Sequence, residues 1–306
     1  MTSSEIKLSI ITNDIRKVEF VSEMSKQGVK VTELRGGRWS VYSEIKKVDI
    51  VQATLYEERD FPKVLYRFLL AKFLRRQTVR LWVGTDVLLS LQQQKEQFLS
   101  KVLDRLTDSN IVVSENLCEE LQQIHIRAEF LPQPFCNAQE VAPLPMPDRF
   151  TVLSYLPDTR KEFYGYPIIR GLAEEFPDIQ FIVVGGNGGT DEGLSNLQYV
   201  GITNDMEIIY KKTSLLVRIT GHDGLPRMVI EAMLRGRNII WNQKFPFCHY
   251  AEKYSQVREL VVHFMNNTDM NYDGAAFVKE NFDDNMNGNG LAAHYRKMIN
   301  RAGLRE

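Results

Sequence analysis

The chain has 306 residues, of which 43% are hydrophobic and 25% charged, and its formal net charge is −1. A chain of this length can bury a sizeable core and favours two domains. Its near-neutral charge lacks the overall basic excess that would point to nucleic acid as a partner. The three cysteines are widely separated and form no CxxC pair, which argues against a disulfide framework or a zinc knuckle.

The N-terminal residues lack the basic region and the apolar region of a secretion signal. No stretch approaches the about 18 consecutive apolar residues of a membrane-spanning helix. The cysteine usage also fits a reducing compartment. We therefore expect a cytoplasmic protein.

Short apolar runs alternate with segments of helical period, which is typical of βαβ units and a parallel sheet. In the first half this pattern predicts strands at 8–12, 29–34, 48–53, 79–84 and 110–115. It predicts helices at 14–27, 62–76, 90–107 and 116–123. Residues 137–149 contain three prolines and follow another, and proline fits neither a helix interior nor a central strand. We place an interdomain linker there, after a first domain at 1–136.

The second half repeats the alternation. The predicted strands lie at 150–156, 179–186, 197–201, 214–220 and 238–241. The predicted helices lie at 164–176, 204–212, 225–236 and, after an Asn-rich stretch at 281–290, at 291–302. Two such halves indicate an α/β protein of two Rossmann-like domains whose parallel sheets face a central cleft. The second domain is expected at 150–275, followed by a C-terminal segment at 276–306.

Residues 223–241, DGLPRMVIEAMLRGRNIIW, place a Gly-Leu-Pro turn between Asp223 and an apolar helix that contains Glu231. Pro226 suits the first turn of a helix, and Gly224 lets the backbone turn sharply or approach a ligand closely. Asp223 then follows the carboxyl end of a strand, the side of an open α/β sheet that binds ligands. The residues alone leave open that Asp223 only caps the helix and that Glu231 is a solvated helix residue.

This segment resembles the acid-x7-acid motif of the retaining glycosyltransferases of family 4, with Asp223 where that family usually has glutamate. Residues 79–87, 110–135, 149–165 and 176–188 resemble further segments of that family in the same order. The resemblance implies the GT-B fold and transfer of a sugar from a nucleotide-diphosphate sugar, UDP- or GDP-linked, without metal or another cofactor. It also implies that residues 150–275 bind the donor, that 1–136 bind the acceptor, and that the C-terminal helix crosses back to the first domain.

The resemblance assigns roles to individual residues. Glu231 resembles the carboxylate that accepts hydrogen bonds from the ribose hydroxyls of the donor, and Asp223 resembles the acid that contacts the transferred sugar. Backbone N–H groups of Gly224 and Leu225, near a helix N-terminus, are candidates for binding the phosphates or the sugar. We also expect two glycines, near the carboxyl ends of predicted strands, to bind the donor nucleotide. These are Gly185 and Gly201.

Arg160 and Lys161 correspond to the cations that neutralise the leaving diphosphate in the family. The family's Gly-Arg after this strand is Ser154-Tyr155 here, so the role of its arginine must pass to Arg160 or to another residue. A solvated charged loop is the alternative interpretation of the pair.

In the first domain, Gly84 ends a predicted strand, and Thr85 and Asp86 follow it. We expect Asp86 to face the cleft and bind sugar hydroxyls, with capping of the next helix as the alternative. Asn13 and His222 are further candidates for contacts with sugar or acceptor. The family's Gly-rich loop after the first strand is missing from ITNDIRKVEF, so acceptor binding is expected to differ.

Residues 63–76 combine Leu, Phe and Tyr with Lys and Arg and contain no acid. Such a helix suits peripheral contact with the inner face of a membrane, where a lipid-linked acceptor would lie. The alternative is a helix that packs on the sheet and has a basic outer edge. The acceptor itself, whether glycan, lipid or small molecule, stays open. Two other functions also stay open, namely an epimerase-like sugar-nucleotide enzyme and a catalytically silent sugar- or nucleotide-binding protein of the same fold.

Overall fold

The computed structural model describes residues 5–11, 17–54, 60–134, 137–188 and 193–303. In them, strands and helices alternate through most of the chain. The strands are β1 Ile6–Ile11, β2 Val29–Glu33, β3 Ile50–Thr54, β4 Gln77–Trp82, β5 Ser109–Val112, β6 Glu129–Phe130, β7 Thr151–Tyr155, β8 Gln180–Val184, β9 Leu197–Tyr199, β10 Leu215–Arg218, β11 Asn238–Trp241 and β12 His249–Tyr250. The helices are α1 Lys17–Lys26, α2 Arg38–Ile45, α3 Phe61–Phe73, α4 Thr85–Gln92, α5 Gln94–Asp104, α6 Glu115–Gln123, α7 Tyr166–Glu175, α8 Met206–Lys212, α9 Arg227–Leu234, α10 Tyr254–Asn266, α11 Tyr272–Asn281 and α12 Asp284–Gly303.

The chain divides into two compact units. Unit 1 comprises Met1–Asn137, His222–Leu225 and Phe282–Glu306, and unit 2 comprises Ala138–Gly221 and Pro226–Asn281. Two differences from the expected domain boundaries stand out. The short loop at 222–225 belongs to unit 1, and residues 276–281 end a helix of unit 2.

Unit 1 is built on a parallel six-stranded sheet in the order β2-β1-β3-β4-β5-β6. Its central strands are runs of aliphatic residues that are buried because helices cover both faces of the sheet. One face packs with residues of α2 and α3, including Val41 and Phe68. The other packs with residues of α1 and α12, including Met24 and Leu291.

Helix α12 is the C-terminal helix, and it belongs to the core of unit 1. Tyr295 is fully buried there, and its hydroxyl donates to Gln52 Oε1 at 2.5 Å. The helix begins at Asp284, seven residues before the predicted start at 291. Its Asn- and Gly-rich first turns are helical because they pack: Asn287 is buried, and Gly288 lies so close to Glu23 that a Cβ would approach its Cγ to 2.9 Å. Tertiary packing overrides the low helix propensity of these residues.

Unit 2 is built on a second parallel six-stranded sheet, in the order β12-β11-β10-β7-β8-β9. Its core joins apolar residues of the strands to those of α7 and α10, such as Leu172 and Val257. The expected linker at 137–149 packs on this unit, where Arg237 donates to Pro145 O at 2.9 Å and Leu144 N–H to Arg235 O at 3.1 Å. The predicted fold class, α/β with two parallel sheets, is confirmed.

Several elements differ from the sequence predictions. The single helix predicted at 90–107 is two helices, α4 and α5, separated by Gln93 in an extended conformation. Helices α2, α10 and α11 and the two-residue strands β6 and β12 were not predicted. The start of the helix predicted at 14–27 lies partly outside the described residues. No helix in the described ranges is long and apolar enough to cross a bilayer.

Candidate functional site

The loop after β7 in unit 2 carries Arg160 and Lys161, and it is anchored to the carboxyl end of β10. Gly221 N–H donates to Phe163 O at 2.8 Å. Gly165 has φ 77°, and a Cβ there would lie 2.8 Å from Ile219 O, so only glycine allows this close approach. The loop therefore has a fixed position at the edge of the sheet where open α/β folds bind ligands.

Aromatic rings hold the two predicted cations of this loop. The guanidinium of Arg160 lies 4.2 Å from the ring centroid of Phe163, and Lys161 Nζ lies 4.1 Å from that of Tyr166. Both side chains are half-buried. Such contacts help to fix the direction of a cationic side chain.

Arg218, the last residue of β10, is a third cation at this edge, and it was not predicted from the sequence. Its guanidinium lies 5.4 Å from the ring centroid of Tyr155 and 5.2 Å from that of Tyr164. The residue is only 8% exposed. The signal that could have revealed it is an arginine inside the otherwise apolar strand SLLVRIT.

Gly185 and Gly201, the two glycines assigned to the donor nucleotide, lie next to each other after β8 and β9. Gly185 N–H donates to Gly201 O at 2.8 Å, and Gly201 N–H donates to Gly186 O at 3.1 Å. Gly185 has φ 91°, and a Cβ there would lie 2.4 Å from the ring of Tyr155. These contacts require glycine at 185 and bring the two loops together with the end of β7.

Glu231 lies on α9, and both of its carboxylate oxygens accept hydrogen bonds. Arg227 Nε donates to Oε1 at 2.7 Å, and the Tyr210 hydroxyl donates to Oε2 at 2.9 Å. The Glu231 side chain is 17% exposed, so it is not the solvated helix residue of the alternative interpretation. Burial, and then the charge of Glu231, raise the pKa of Tyr210 well above its usual range, so this hydroxyl keeps its proton and stays a donor.

The loop at 222–225, which contains Asp223, Gly224 and Leu225, packs within unit 1. Asn116 Nδ2 donates to Asp223 O at 3.4 Å, and a Cβ on Gly224 would lie 2.6 Å from Val83 O. Gly84 has φ 127°, and a Cβ there would lie 3.0 Å from Gly224 N. The two glycines thus permit a close backbone contact. The residue at the N-cap of α9 is Pro226, so Asp223 is not the cap of that helix.

His222 immediately precedes Asp223 and lies within ion-pair distance of a carboxylate. Its Nε2 lies 2.9 Å from Glu120 Oε2 on α6, and the histidine side chain is 10% exposed. Contact with sugar or phosphate through the same nitrogen would require this pair to separate. Thr85 is the half-buried first residue of α4, and Asn13 lies outside the described residues.

Asp86, the second residue of α4, is enclosed at the turn that precedes the helix, and the N-cap position is Gly84. It is 3% exposed, and its Oδ1 accepts the backbone N–H groups of Val83, Gly84 and Val87 at 3.0, 3.0 and 3.1 Å. Burial raises the pKa of Asp86, although the charge of Arg80 and these three N–H groups oppose that shift. These hydrogen bonds fix the turn at Gly84, and contact between Asp86 and a sugar stays a prediction.

Solved structures that are similar to this chain span nearly its whole length. Anabaena Alr3699/HepE in complex with UDP is 12% identical with a TM-score of 0.72, and 96% of this chain and 99% of that chain are covered. Sucrose-phosphate synthase of Thermosynechococcus elongatus is 12% identical with a TM-score of 0.73, covering 97% of this chain and 100% of that one. A Listeria monocytogenes protein assigned to the UDP-N-acetylglucosamine 2-epimerases is 10% identical with a TM-score of 0.59, covering 96% and 98%.

No family model and no curated protein matches the sequence. At such identities, structural likeness establishes architecture and leaves the reaction to be argued from the residues. The chain has the GT-B fold, in common with solved glycosyltransferases.

Proposed function

We propose that this protein is a retaining glycosyltransferase of the family 4 type that uses a nucleotide-diphosphate sugar, UDP- or GDP-linked, as donor. The observation that carries the proposal is Glu231, which is the second acid of the acid-x7-acid segment in a chain of GT-B fold. Its carboxylate is oriented by Arg227 and Tyr210 and still has acceptor capacity. That arrangement suits recognition of the paired hydroxyls of a ribose.

In this proposal, other residues bind the remaining parts of the donor. Gly185 and Gly201 allow the nucleotide to approach the backbone closely after β8 and β9. Asp223 contacts hydroxyls of the transferred sugar, helped by the backbone N–H groups of Gly224 and Leu225. Aspartate is shorter than the family's glutamate by one methylene, so the preferred sugar is expected to differ.

Arg160 and Lys161 stabilise the charge that develops on the leaving diphosphate. The bond between the anomeric carbon and the phosphate oxygen breaks, and its electron pair moves onto that oxygen. The acceptor hydroxyl forms the new bond on the face the diphosphate leaves, and its proton passes to the departing phosphate oxygen. This route uses neither a protein nucleophile nor a metal ion, and cationic side chains take the place of a metal.

The test is a panel of UDP- and GDP-sugars incubated with the protein and with candidate glycan and lipid acceptors. Release of nucleoside diphosphate is measured, and proton NMR gives the anomeric configuration of the product. We expect turnover of one donor with retained configuration. Asp223→Asn is expected to lower kcat at least about tenfold with smaller effects on nucleotide affinity, since the carboxylate acts on the sugar. An inverted product contradicts the mechanism.

The same experiment separates the two rival functions. The likeness to the Listeria protein favours an epimerase-like reaction as the second candidate, which would interconvert the donor sugar without any acceptor. A catalytically silent binding protein would bind a nucleotide sugar and leave it unchanged. The spectrum of the donor after incubation distinguishes these results from transfer.

We also propose that the acceptor is presented at an anionic membrane surface through α3. Tyr66, Leu69 and Phe73 recur at helical spacing on this helix, and they are 40%, 50% and 81% exposed. Lys63 and Arg75 are exposed on the same segment. Aromatic and aliphatic side chains beside basic ones suit insertion at an anionic interface.

Sedimentation with vesicles containing anionic lipid, and with neutral vesicles, tests this surface. We expect binding to the anionic vesicles alone, and loss of most of it in Phe73→Ser. The control is Ile202→Ser, which removes a 92% exposed apolar side chain from unit 2. If both variants bind as the wild type does, α3 is not a membrane contact.

A further inference from the structure

The two acids of the acid-x7-acid segment belong to different units of the structure. Glu231 lies on α9 in unit 2, whereas Asp223 lies in the loop at 222–225, which is part of unit 1. The residues on either side of this loop belong to unit 2. The position of Asp223 therefore depends on contacts with unit 1, while Glu231 is oriented by Arg227 and Tyr210 on its own unit.

The backbone of this loop lies against the turn that follows β4. A Cβ on Gly84 would lie 3.0 Å from Gly224 N and 3.6 Å from Asp223 C, and a Cβ on Gly224 would lie 2.6 Å from Val83 O. These separations leave no room for a side chain at Gly224 and little at Gly84. Because backbone meets backbone here, the place of the peptide bond between Asp223 and Gly224 follows the place of Gly84.

Gly84 is in turn held by Asp86, two residues later. The Asp86 side chain is enclosed, and its Oδ1 accepts the backbone N–H groups of Val83, Gly84 and Val87 at 3.0, 3.0 and 3.1 Å. Hydrogen bonds to a carboxylate are about twice as strong as neutral ones. Three of them on one enclosed oxygen give the turn a single conformation, in which Gly84 has φ 127°.

Helix α6 contacts the same loop at two further points. Asn116 Nδ2 donates to Asp223 O at 3.4 Å, and Glu120 Oε2 lies 2.9 Å from His222 Nε2. With the contact of Gly224 against Gly84, each of the three consecutive residues 222, 223 and 224 meets another segment of unit 1. Asp223 therefore has little freedom to move relative to α6 and the turn before α4.

We propose that Asp86 is a positioning residue for sugar transfer, which fixes the turn at Gly84 and thereby holds Asp223 where its carboxylate meets the transferred sugar. The inference rests on the proposed function, in which Asp223 contacts that sugar and Glu231 contacts the ribose. Disturbing the turn should then slow transfer, since a misplacement of about 1 Å can cost about 100-fold in rate. The affinity for the nucleotide, which depends on Glu231, should not change.

Gly84→Ala tests the backbone contact, and Gly36→Ala is its matched control. Both glycines lie in unit 1 and have positive φ, 127° and 98°. A Cβ at either position would approach another residue to 3.0 Å, namely Gly224 N for Gly84 and Ser40 Oγ for Gly36. With the nucleotide sugar that the wild type uses, kcat of Gly84→Ala should fall about 10- to 100-fold, while its affinity for the nucleoside diphosphate stays within about twofold. Gly36→Ala should leave both values within about twofold of the wild type.

Asp86→Ala and Asp86→Asn test the carboxylate itself. Alanine removes the acceptor of three N–H groups, whereas asparagine keeps an acceptor oxygen, so kcat should fall further in Asp86→Ala and recover in part in Asp86→Asn. Hydrogen exchange of the backbone amides at 222–225 should be faster in Asp86→Ala and unchanged in Gly36→Ala. If Asp86→Ala does not fold, Asn116→Ala replaces it: this variant loses only the hydrogen bond to Asp223 O, and its kcat should fall about threefold.

The results separate this inference from the function on which it rests. If the wild type transfers sugar and Gly84→Ala does so at the same kcat, the positioning role is overturned and the proposed function stands. Equal falls in kcat and in nucleotide affinity, or a fall in Gly36→Ala as large as in Gly84→Ala, would show that the turn only supports the fold, and would also overturn the inference. A wild type that transfers no sugar from any donor overturns both.

Discussion

Replacing Glu231 with glutamine isolates the role of one carboxylate in nucleotide recognition. A carboxylate offers about four acceptor positions, and Tyr210 and Arg227 occupy two of them. Two therefore remain, enough for the two ribose hydroxyls. Hydrogen bonds to a charged group contribute about 1.5–3 kcal/mol each and neutral ones about 1 kcal/mol. Loss of the charge should weaken binding by about 2–3 kcal/mol, or about 30- to 150-fold.

The assay uses the nucleoside diphosphate that the wild type binds best and its 2′-deoxy counterpart. The wild type should discriminate between them, because the deoxy ligand lacks a hydroxyl that Glu231 accepts. Glu231→Gln should bind the two ligands with nearly equal, weak affinity. Tyr210→Phe is the matched control: it removes the hydrogen bond to Oε2, keeps the carboxylate, and should preserve the discrimination. Wild-type discrimination in Glu231→Gln would refute the assignment.

Further predictions concern stability. Gly185→Ala should lower the free energy of unfolding, measured with denaturant, by about 2–4 kcal/mol, because it adds both backbone strain and a clash with the ring of Tyr155. The control is Gly193→Ala, where φ is 106° and a Cβ would meet nothing within 4 Å, so that only the strain of about 1 kcal/mol is expected. On α12, Gly290→Ala meets no atom within 4 Å and should stabilise by about 0.5–1 kcal/mol, whereas Gly288→Ala meets Glu23 at 2.9 Å and should not. Burial lowers the pKa of His294 below its usual 6.5, with Glu129 opposing the shift. The unfolded chain therefore binds a proton at His294 more readily than the folded chain does, so the free energy of unfolding should fall as the pH drops below about 6.5. In melting experiments over this pH range, His294→Gln should show a smaller fall than the wild type.

The sequence predicted most of the strands because each is a short aliphatic run between turn residues. β11, for example, was predicted at 238–241 and observed at Asn238–Trp241. The same pattern could not show that α12 starts at Asp284, since its first turns are helical only through contacts with α1. Nor could it show the break at Gln93, where apolar periodicity continues across two helices.

The candidate site was only partly predictable for a similar reason. Glu231 could be named as a candidate because its motif is local in sequence, but its orientation by Tyr210 depends on a residue of another helix. Arg218 was missed because its contact with Tyr155 joins two adjacent strands whose residues are 63 positions apart in the sequence. Asp86 was expected to face a ligand, and its burial against three backbone N–H groups could not be inferred from a Gly-Thr-Asp string.

The proposed function requires that this chain binds a nucleoside-diphosphate sugar whose ribose is recognised by Glu231 of unit 2. The most direct measurement is calorimetric titration of the wild type with UDP, GDP and ADP and with their common sugar conjugates. We expect one nucleotide to bind selectively at a single site, and its sugar conjugate to bind at the same site. Absence of binding to every one of these ligands would contradict it.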